Sequence, residues 1–472
     1  MLDKFIEYIR RWLFRMAKKE DVVSKLKADI VISDDMLKAV NLWNDMYLNK
    51  AEWLEENKGL NLPSSICSEI ARLATIEMKS EISGKNSKRA EYLNTFYQQV
   101  IDDIRTQVEY GCAVGGLILK PYIDGDKISV DYIQANNFYP TAFDGAGKII
   151  SAVFIDQKKL NDKYYTRLEH HQMTNEGVYI TNNAFISHTE HEIGKEIPLD
   201  SIDEWALLQP EVLLKGVNKP LFGYFKTPLA NNIDTRSPLG VSVYSKAVDL
   251  IRQADEQYSR LLWEFEASEY AVYIDELAMK PYKDAKGKIT GYNIPQKQKR
   301  IFKGLSLAST QNEFFKEWCP NIREQSLING LNEILCRIED VCGLARGTFS
   351  NPQGEAKTAT ELKILRQRSY ATICDTQKSI KTALDELVYA MDMWATLGNL
   401  APKSDIETSF EFDDSIVTDR QAEFIEKQQL VTMGILQPWE LRMWYLGETE
   451  EQAKKSLQEQ QNKVDLFNQP EE

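Results

Sequence analysis

Three long helices are predicted in the second half of the 472-residue chain. Apolar residues recur at helical spacing over residues 239–268, 322–344 and 359–397. The first of these helices would be about 45 Å long at a rise of about 1.5 Å per residue, which is long for a globular protein. The whole chain is larger than one small core needs, so we expect two or more substructures.

The first half of the chain combines predicted helices with short strands. Residues 30–110 carry apolar stripes at helical spacing. Five runs rich in β-branched and aromatic residues follow, with turns that contain Gly and Asp or Asn at 124–126, 144–147 and 175–177; the runs are residues 117–123, 128–133, 149–155, 164–170 and 178–186. Helices followed by an antiparallel meander predict the α+β class. A segment rich in Pro, Gly and Asn, residues 210–238, is predicted to be a connecting loop.

The charge balance argues against a protein that coats nucleic acid. Lys and Arg total 57 and Asp and Glu total 71, so the formal net charge is −14. No stretch approaches the ~20 apolar residues of a membrane-spanning helix. Residues 2–16 predict a basic amphipathic helix, for which docking on protein is favoured over a membrane surface. The six cysteines include no CxxC pair, so we expect reduced thiols.

The sequence offers little that resembles catalytic chemistry. All four histidines lie in one window, as His170, His171, His188 and His191. A metal site there is the alternative to an exposed polar hairpin, and we favour the hairpin. No GxSxG elbow or P-loop occurs. We therefore expect no enzyme activity, no cofactor and no metal, although an unrecognised carboxylate site stays open as an alternative.

One segment of this acidic chain is strongly basic. Residues 280–303 contain eight positive charges against the single Asp284. The basic residues are Lys280, Lys283, Lys286, Lys288, Lys297, Lys299, Arg300 and Lys303. A solvated loop is the simple interpretation; a docking surface for an acidic partner or for phosphates is the more specific one. Its Pro and Gly spacing favours a projecting element.

A Gly- and Pro-rich break separates the second and third long helices. Residues 346–357 are too rich in these residue types to be helical, and a capping box, Thr358-x-x-Glu361, follows. Loops this long between packed helices are often functional. The polar, basic and aromatic residues of the break are Arg346, Thr348, Phe349, Ser350, Asn351, Gln353 and Lys357.

This order of elements resembles the portal proteins of tailed double-stranded-DNA bacteriophages. The resemblance covers most of the chain and is best over residues 239–457. It is carried by the succession of long helix, projecting insert, long helix, Gly/Pro loop, very long helix and acidic helical C-terminus. Three stretches are also similar in sequence to segments of this family: Gly354-Glu355-x-x-Thr358-Ala359-Thr360-Glu361, the segment around Gly434-Ile435-Leu436 and Gly447-Glu448-Thr449, and Tyr110-Gly111 followed by strands.

The resemblance implies a homo-oligomeric ring, usually of twelve subunits, at one vertex of the capsid. Such a ring is the channel for packaging and ejection of DNA, without sequence specificity. Its implied protein partners are the terminase large subunit, head–tail connector or adaptor proteins, and the major capsid and scaffolding proteins. The implied location is the virion, after assembly in the cytoplasm of the host bacterium, with no membrane partner.

The resemblance also implies a division of the chain. Its parts are the wing (1–238 and the long helix 359–399), two stem helices (239–269 and 320–345), the clip (270–319), the tunnel loop (346–358) and the crown (400–472). On this mapping, the residues of the Gly/Pro break belong to the DNA channel, with Phe349, Ser350 and Asn351 at the tip of a loop that projects into it; an ordinary surface connection between helices is the alternative. The eight basic residues belong to a partner-docking clip. A monomeric DNA-binding adaptor that uses the basic segment is the alternative.

Overall fold

The computed structural model describes residues 19–76, 78–85, 87–190, 192–268, 271–275, 281–292, 302–305, 315–318, 321–351, 359–412, 420–446, 448–450 and 452–457. The fold class is α+β, as predicted, with mixed helices and mainly antiparallel sheets. The predicted helix at residues 2–16 lies outside the described residues, and so does the capping residue Thr358.

Four helices begin the described chain: α1 (residues 19–26), α2 (Asp34–Tyr47), α3 (Leu62–Thr75) and α4 (Lys88–Val114). Serine side chains cap two of them, because the hydroxyls of Ser33 and Ser87 accept the amides of Met36 and Ala90. Helix α4 ends at Gly115, whose φ of +92° is left-handed and suits glycine.

The predicted meander is divided between two sheets. Strands β2 (Gly116–Asp124) and β3 (Lys127–Gln134) form a hairpin whose outer neighbour is β10 (Gly223–Lys226), in the order β10-β2-β3. The remaining strands of the region are β4 (Phe138–Phe143), β5 (Ile149–Leu160), β6 (Lys163–Met173), β7 (Gly177–Ser187), β8 (Lys195–Ile197) and β9 (Glu211–Lys215). They pair in the order β4-β5-β6-β7-β8, and β9 also pairs with β7.

Two sequence predictions in this region are wrong. Residues 210–238 are not one connecting loop, since they supply β9 and β10. His170 and His171 are not on an exposed hairpin, because they lie in β6 between β5 and β7 and are buried. His188 is exposed, and His191 lies outside the described residues.

Two long helices, α5 (Val248–Ala267) and α6 (Glu324–Cys342), pack against each other. Helix α5 begins nine residues later than predicted, at Val248 instead of 239. The residues before it are held in turns: the Val243 amide donates to the Cys112 carbonyl, and the Tyr244 hydroxyl donates to the Trp43 carbonyl. The first of these bonds occupies a backbone amide that a helix beginning at residue 239 would use internally.

Short strands lie between α5 and α6: β11 (Ala271–Asp275), β12 (Pro281–Lys283), β13 (Ile289–Tyr292), β14 (Phe302–Leu305) and β15 (Phe315–Trp318). Strand β11 pairs in parallel with β14 and antiparallel with β15. Strands β12 and β13 form a separate hairpin.

The longest helix, α7 (Ala359–Leu397), covers both sheets of the first half. Its buried Ala390 packs in a cluster with Val178 and Ile180 of β7. Gly223 of β10 lies so close to α7 that a Cβ there would be 2.2 Å from the Ala383 carbonyl oxygen. Helix α7 therefore runs against the sheets along its second half.

The remaining described elements are β1 (Met78–Ser83), which pairs with β16 (Glu407–Phe412), and three helices: α8 (Arg420–Thr432), α9 (Pro438–Leu446) and α10 (residues 452–457). Among the described residues, 78–79 and those from 411 onward form one compact unit, and the other described residues form another. Thr449 and Gln452 form a reciprocal capping box, with bonds of 3.2 and 3.4 Å. None of the described helices has the length and apolar character needed to cross a membrane.

Candidate functional site

The chain reverses direction where α6 ends, at Gly343. This residue has a φ of +71°, and the next amide, of Leu344, donates back to the Glu339 carbonyl at 2.9 Å. A Cβ at Gly343 would lie 2.3 Å from the Thr372 hydroxyl of α7. Only glycine fits here, because both the backbone conformation and the close approach of α7 exclude a side chain. The reversal directs the following residues back along α6.

The carboxylate of Glu339 holds the returning segment. It is completely buried, and one of its oxygens, Oε1, accepts the amides of Phe349 and Ser350 at 2.5 and 2.8 Å. The other, Oε2, accepts the amide of Gly347 at 3.1 Å and the Ser350 hydroxyl at 2.7 Å. Converging backbone amides are a typical arrangement for binding an anion. Here the anion is a side chain of the same subunit.

Two further pairs fix the same segment. Asn332, two helical turns before Glu339, accepts the Asn351 amide at 2.6 Å and donates to the Asn351 carbonyl at 3.0 Å. Arg346 donates to both oxygens of Asp340, at 3.2 and 2.6 Å. Residues 346–351 are thus bonded to three side chains of α6, those of Asn332, Glu339 and Asp340.

The described residues of the predicted loop differ in their exposure to solvent. Ser350 is 6% exposed and bonded to Glu339, and the placement of residues 349–351 at a tip that projects into a channel stays a prediction. Arg346 and Asn351 are exposed, whereas Thr348 and Phe349 are half-buried. Gln353 and Lys357 lie outside the described residues. Sequence reasoning missed Glu339; its only signal was an acidic residue beside the apolar stripe of α6, just before a Gly-rich segment.

The basic segment forms a hairpin in its described part. Lys283, Lys286 and Lys288 lie on or next to the turn between β12 and β13, and all three are exposed. The Asp284 carboxylate shapes this turn by accepting the amides of Lys286 and Lys288 at 2.9 and 2.8 Å. The hairpin therefore presents its lysines to solvent.

Of the other five predicted docking residues, one lies in the described part of the chain. Lys303 belongs to β14, opposite Tyr273 of β11. Lys280, Lys297, Lys299 and Arg300 lie outside the described residues.

A buried charged cluster lies away from both segments, in the six-stranded sheet and its neighbour. Glu169 accepts from Lys120 at 2.6 Å, from Arg167 at 3.1 Å and from His171 at 2.7 Å. Burial alone would raise the pKa of the Glu169 carboxyl, but Lys120, His171 and Arg167 hold this pKa well below its usual range. Each charge has an opposite partner, so the cluster is best explained as a structural ion network.

Burial also governs the neighbouring histidines. It lowers the pKa of His171, and it lowers the pKa of His170 to about 4. Among the residues that the structure describes, no group of His, Cys, Asp or Glu is arranged to hold a metal ion.

Comparison with known proteins identifies the family. Residues 59–465, most of the chain, match the family described as phage portal protein, SPP1 Gp6-like. No curated protein gives a significant match. The matched range includes α5, α6, the basic hairpin between them, and the segment that Glu339 holds. The chain therefore belongs to the phage portal protein family of the SPP1 Gp6-like type.

Proposed function

We propose that this chain forms a ring of twelve subunits at one vertex of a phage capsid, and that the ring is the channel for DNA packaging and ejection. The family match over residues 59–465 is the observation that carries the proposal. It implies a capsid component of the virion, an oligomeric ring and passage of DNA. We infer that the ring assembles in the cytoplasm of the host bacterium.

The long helices supply apolar surface suited to subunit contacts. Each subunit of a cyclic ring needs two different contact faces. Trp263 on α5 is 63% exposed, although a Trp side chain is among the most favourable to bury in an interface. Phe265 on the same helix and Ile328 on α6 are exposed as well. Contacts between neighbouring subunits would remove these side chains from water.

We propose that the tunnel loop, residues 346–358, contacts the DNA backbone in the channel. Its charged residues are Arg346, Glu355 and Lys357, which leave one net positive charge per subunit. Asn351 is exposed and neutral, while Arg346 is already paired with Asp340. A nearly neutral lining contacts phosphates without the strong, salt-dependent grip of many lysines. Contacts to the backbone alone would not depend on DNA sequence.

We propose that the clip, residues 270–319, docks the terminase large subunit or a head–tail connector protein. The exposed Lys283, Lys286 and Lys288 supply charge that steers association with an acidic partner. Contacts with the major capsid and scaffolding proteins follow from a position in the capsid. The family is a structural one, so we infer that the chain itself catalyses no reaction and that an associated ATPase supplies the energy for packaging.

The experiment places a charge at the proposed channel lining. Asn351→Glu keeps the two backbone bonds of Asn351 to Asn332 and adds one negative charge per subunit. Rings should form normally, and the amount of DNA retained in filled particles should fall because the added charges repel phosphates. Gln172→Glu adds the same charge at an exposed position of β6 and is the matched control. Normal DNA retention by Asn351→Glu particles would contradict the assignment of this loop to the channel.

A further inference from the structure

We propose that Glu339 is a positioning residue for the tunnel loop: its carboxylate fixes the first half of the loop against α6 and so sets where the loop meets DNA. The inference rests on the proposed function, because it concerns the same loop. It adds a residue outside the loop that controls how the loop is placed.

Because the Glu339 carboxylate is buried, it needs the hydrogen bonds that the loop donates. A buried carboxylate is costly unless hydrogen bonds satisfy it. In the described part of the chain, its hydrogen bonds come from residues 347–350 of the loop. If the loop moved away from α6, this carboxylate would lose all four of these hydrogen bonds. The loop and the end of α6 therefore behave as one body.

The carboxylate accepts two hydrogen bonds at each of its oxygens, and the Gly347 amide also donates to the Ser350 hydroxyl oxygen at 3.1 Å. Two amides reach Oε1, while the amide of Gly347 and the hydroxyl of Ser350 reach Oε2. A glutamine in this place has one acceptor oxygen and one NH₂ group. The NH₂ group would face the N–H of Gly347, donor against donor. Glu339→Gln is thus nearly the same size as the native side chain but cannot hold the whole segment.

The distribution of anchors limits the consequences of that change. Asn332 holds Asn351, and Asp340 holds Arg346, independently of Glu339. Loss of the central anchor would free residues 347–350 between two outer attachments. We therefore expect a change of loop placement without loss of α6 or of the ring.

The test compares Glu339→Gln with Glu333→Gln in assembled rings of the full chain. Glu333 lies on the same helix, is exposed and forms an ion pair with Arg337; its charge also acts on Arg346, but it makes no described hydrogen bond to residues 347–350. Hydrogen–deuterium exchange of a peptide covering residues 344–351 should quicken on the order of tenfold in Glu339→Gln, since the amide bonds to a charged acceptor are lost. It should be unchanged in Glu333→Gln. DNA retention in filled particles should fall in Glu339→Gln alone, at unchanged ring mass.

A second variant covers the case in which Glu339→Gln fails to fold. Ser350→Ala removes the hydroxyl bond to Oε2 and the hydroxyl acceptor of the Gly347 amide, and it keeps the three amide bonds to the carboxylate. It should quicken exchange less than Glu339→Gln and reduce DNA retention less. This graded response separates positioning from a general loss of stability, which would lower the unfolding temperature without tracking the loop.

Two results overturn the inference and leave the proposed function intact. One is native-like protection of residues 347–350 in Glu339→Gln rings; the other is normal DNA retention despite their rapid exchange. Failure of the unmodified chain to form rings would instead overturn the proposed function. In that case the exchange measurement on the unassembled chain still decides whether Glu339 holds the loop.

Discussion

The Arg323 guanidinium donates to both carboxylate oxygens of Glu264, through Nε at 3.1 Å and Nη2 at 2.8 Å. The Arg323 amide donates to the same carboxylate at 3.3 Å. This pair joins the end of α5 to the start of α6, across the 59 positions that separate the two residues. The insert between the helices therefore leaves and re-enters the helix pair at one fixed place.

Removing this pair should loosen the base of the clip. The side-chain hydrogen bond from Arg323 lowers the pKa of Glu264, so the carboxylate stays ionised at neutral pH. In Glu264→Gln one acceptor of the bidentate pair becomes a donor facing Arg323. We expect trypsin to cleave the basic segment 280–303 several-fold faster than in the unmodified chain. The control is Glu256→Gln, which breaks the ion pair with Arg252 on α5. Trypsin should cleave this variant at the same rate as the unmodified chain.

The reversal at Gly343 should tolerate no side chain. Gly343→Ala forces alanine into a left-handed conformation, at a cost of about 1–2 kcal/mol, and also drives its Cβ into Thr372. Gly125 also has a left-handed φ, +63°, but a Cβ added there would meet no atom within 4 Å. The variant Gly125→Ala therefore measures the cost of the backbone conformation alone. Chemical denaturation should show that Gly343→Ala lowers the free energy of unfolding by at least about 1 kcal/mol more than Gly125→Ala does. Equal losses would show that α7 yields at this contact.

The sequence allowed the helices to be predicted better than the strands. The period of α7 is regular over its whole length, and its predicted end at 397 agrees with the structure. Strands β9 and β10 were missed because each is short and flanked by the Pro, Gly and Asn residues that mark loops. His170 and His171 were misplaced because they are adjacent residues of an inner strand and both are buried, although they point to opposite faces of the sheet.

The candidate site shows why side-chain pairing is harder to predict. The sequence indicates a loop at 346–357 and a basic segment at 280–303, which follow from composition. The attachment of Ser350 to Glu339 depends on a chain reversal at Gly343 that brings residues eleven positions apart into contact. No spacing rule specifies which of many carboxylates faces those amides.

The buried His170 predicts loss of stability at moderately acid pH. Burial lowers its pKa to about 4, whereas an unfolded histidine titrates near 6.5. Below pH 6.5 the unfolded chain therefore binds a proton that the folded chain resists, and stability falls until pH reaches about 4. The loss amounts to about 3 kcal/mol. Glutamine in His170→Gln can keep a hydrogen bond to Thr141 but does not titrate in this range. The unfolding temperature of this variant should therefore fall less steeply than that of the unmodified chain as the pH drops from 6.5 to about 4. A parallel decline in both proteins would contradict this role.

Charge reversal on the hairpin should weaken partner docking. Lys283→Glu, Lys286→Glu and Lys288→Glu together change the segment by six charge units, while Asp284 keeps the turn. Binding of an acidic terminase or connector partner should fall about tenfold at low salt, and less at high salt, because screening already weakens native binding there. Equal binding at every salt concentration would remove the docking role from this hairpin.

The mass of the purified assembly tests the central claim most directly. One chain has a mass of 54.3 kDa. Size-exclusion chromatography with light scattering should give about twelve times that mass, near 650 kDa, and negative-stain images should show rings with a central channel. A single species at the mass of one chain, with no rings in the images, would contradict the account.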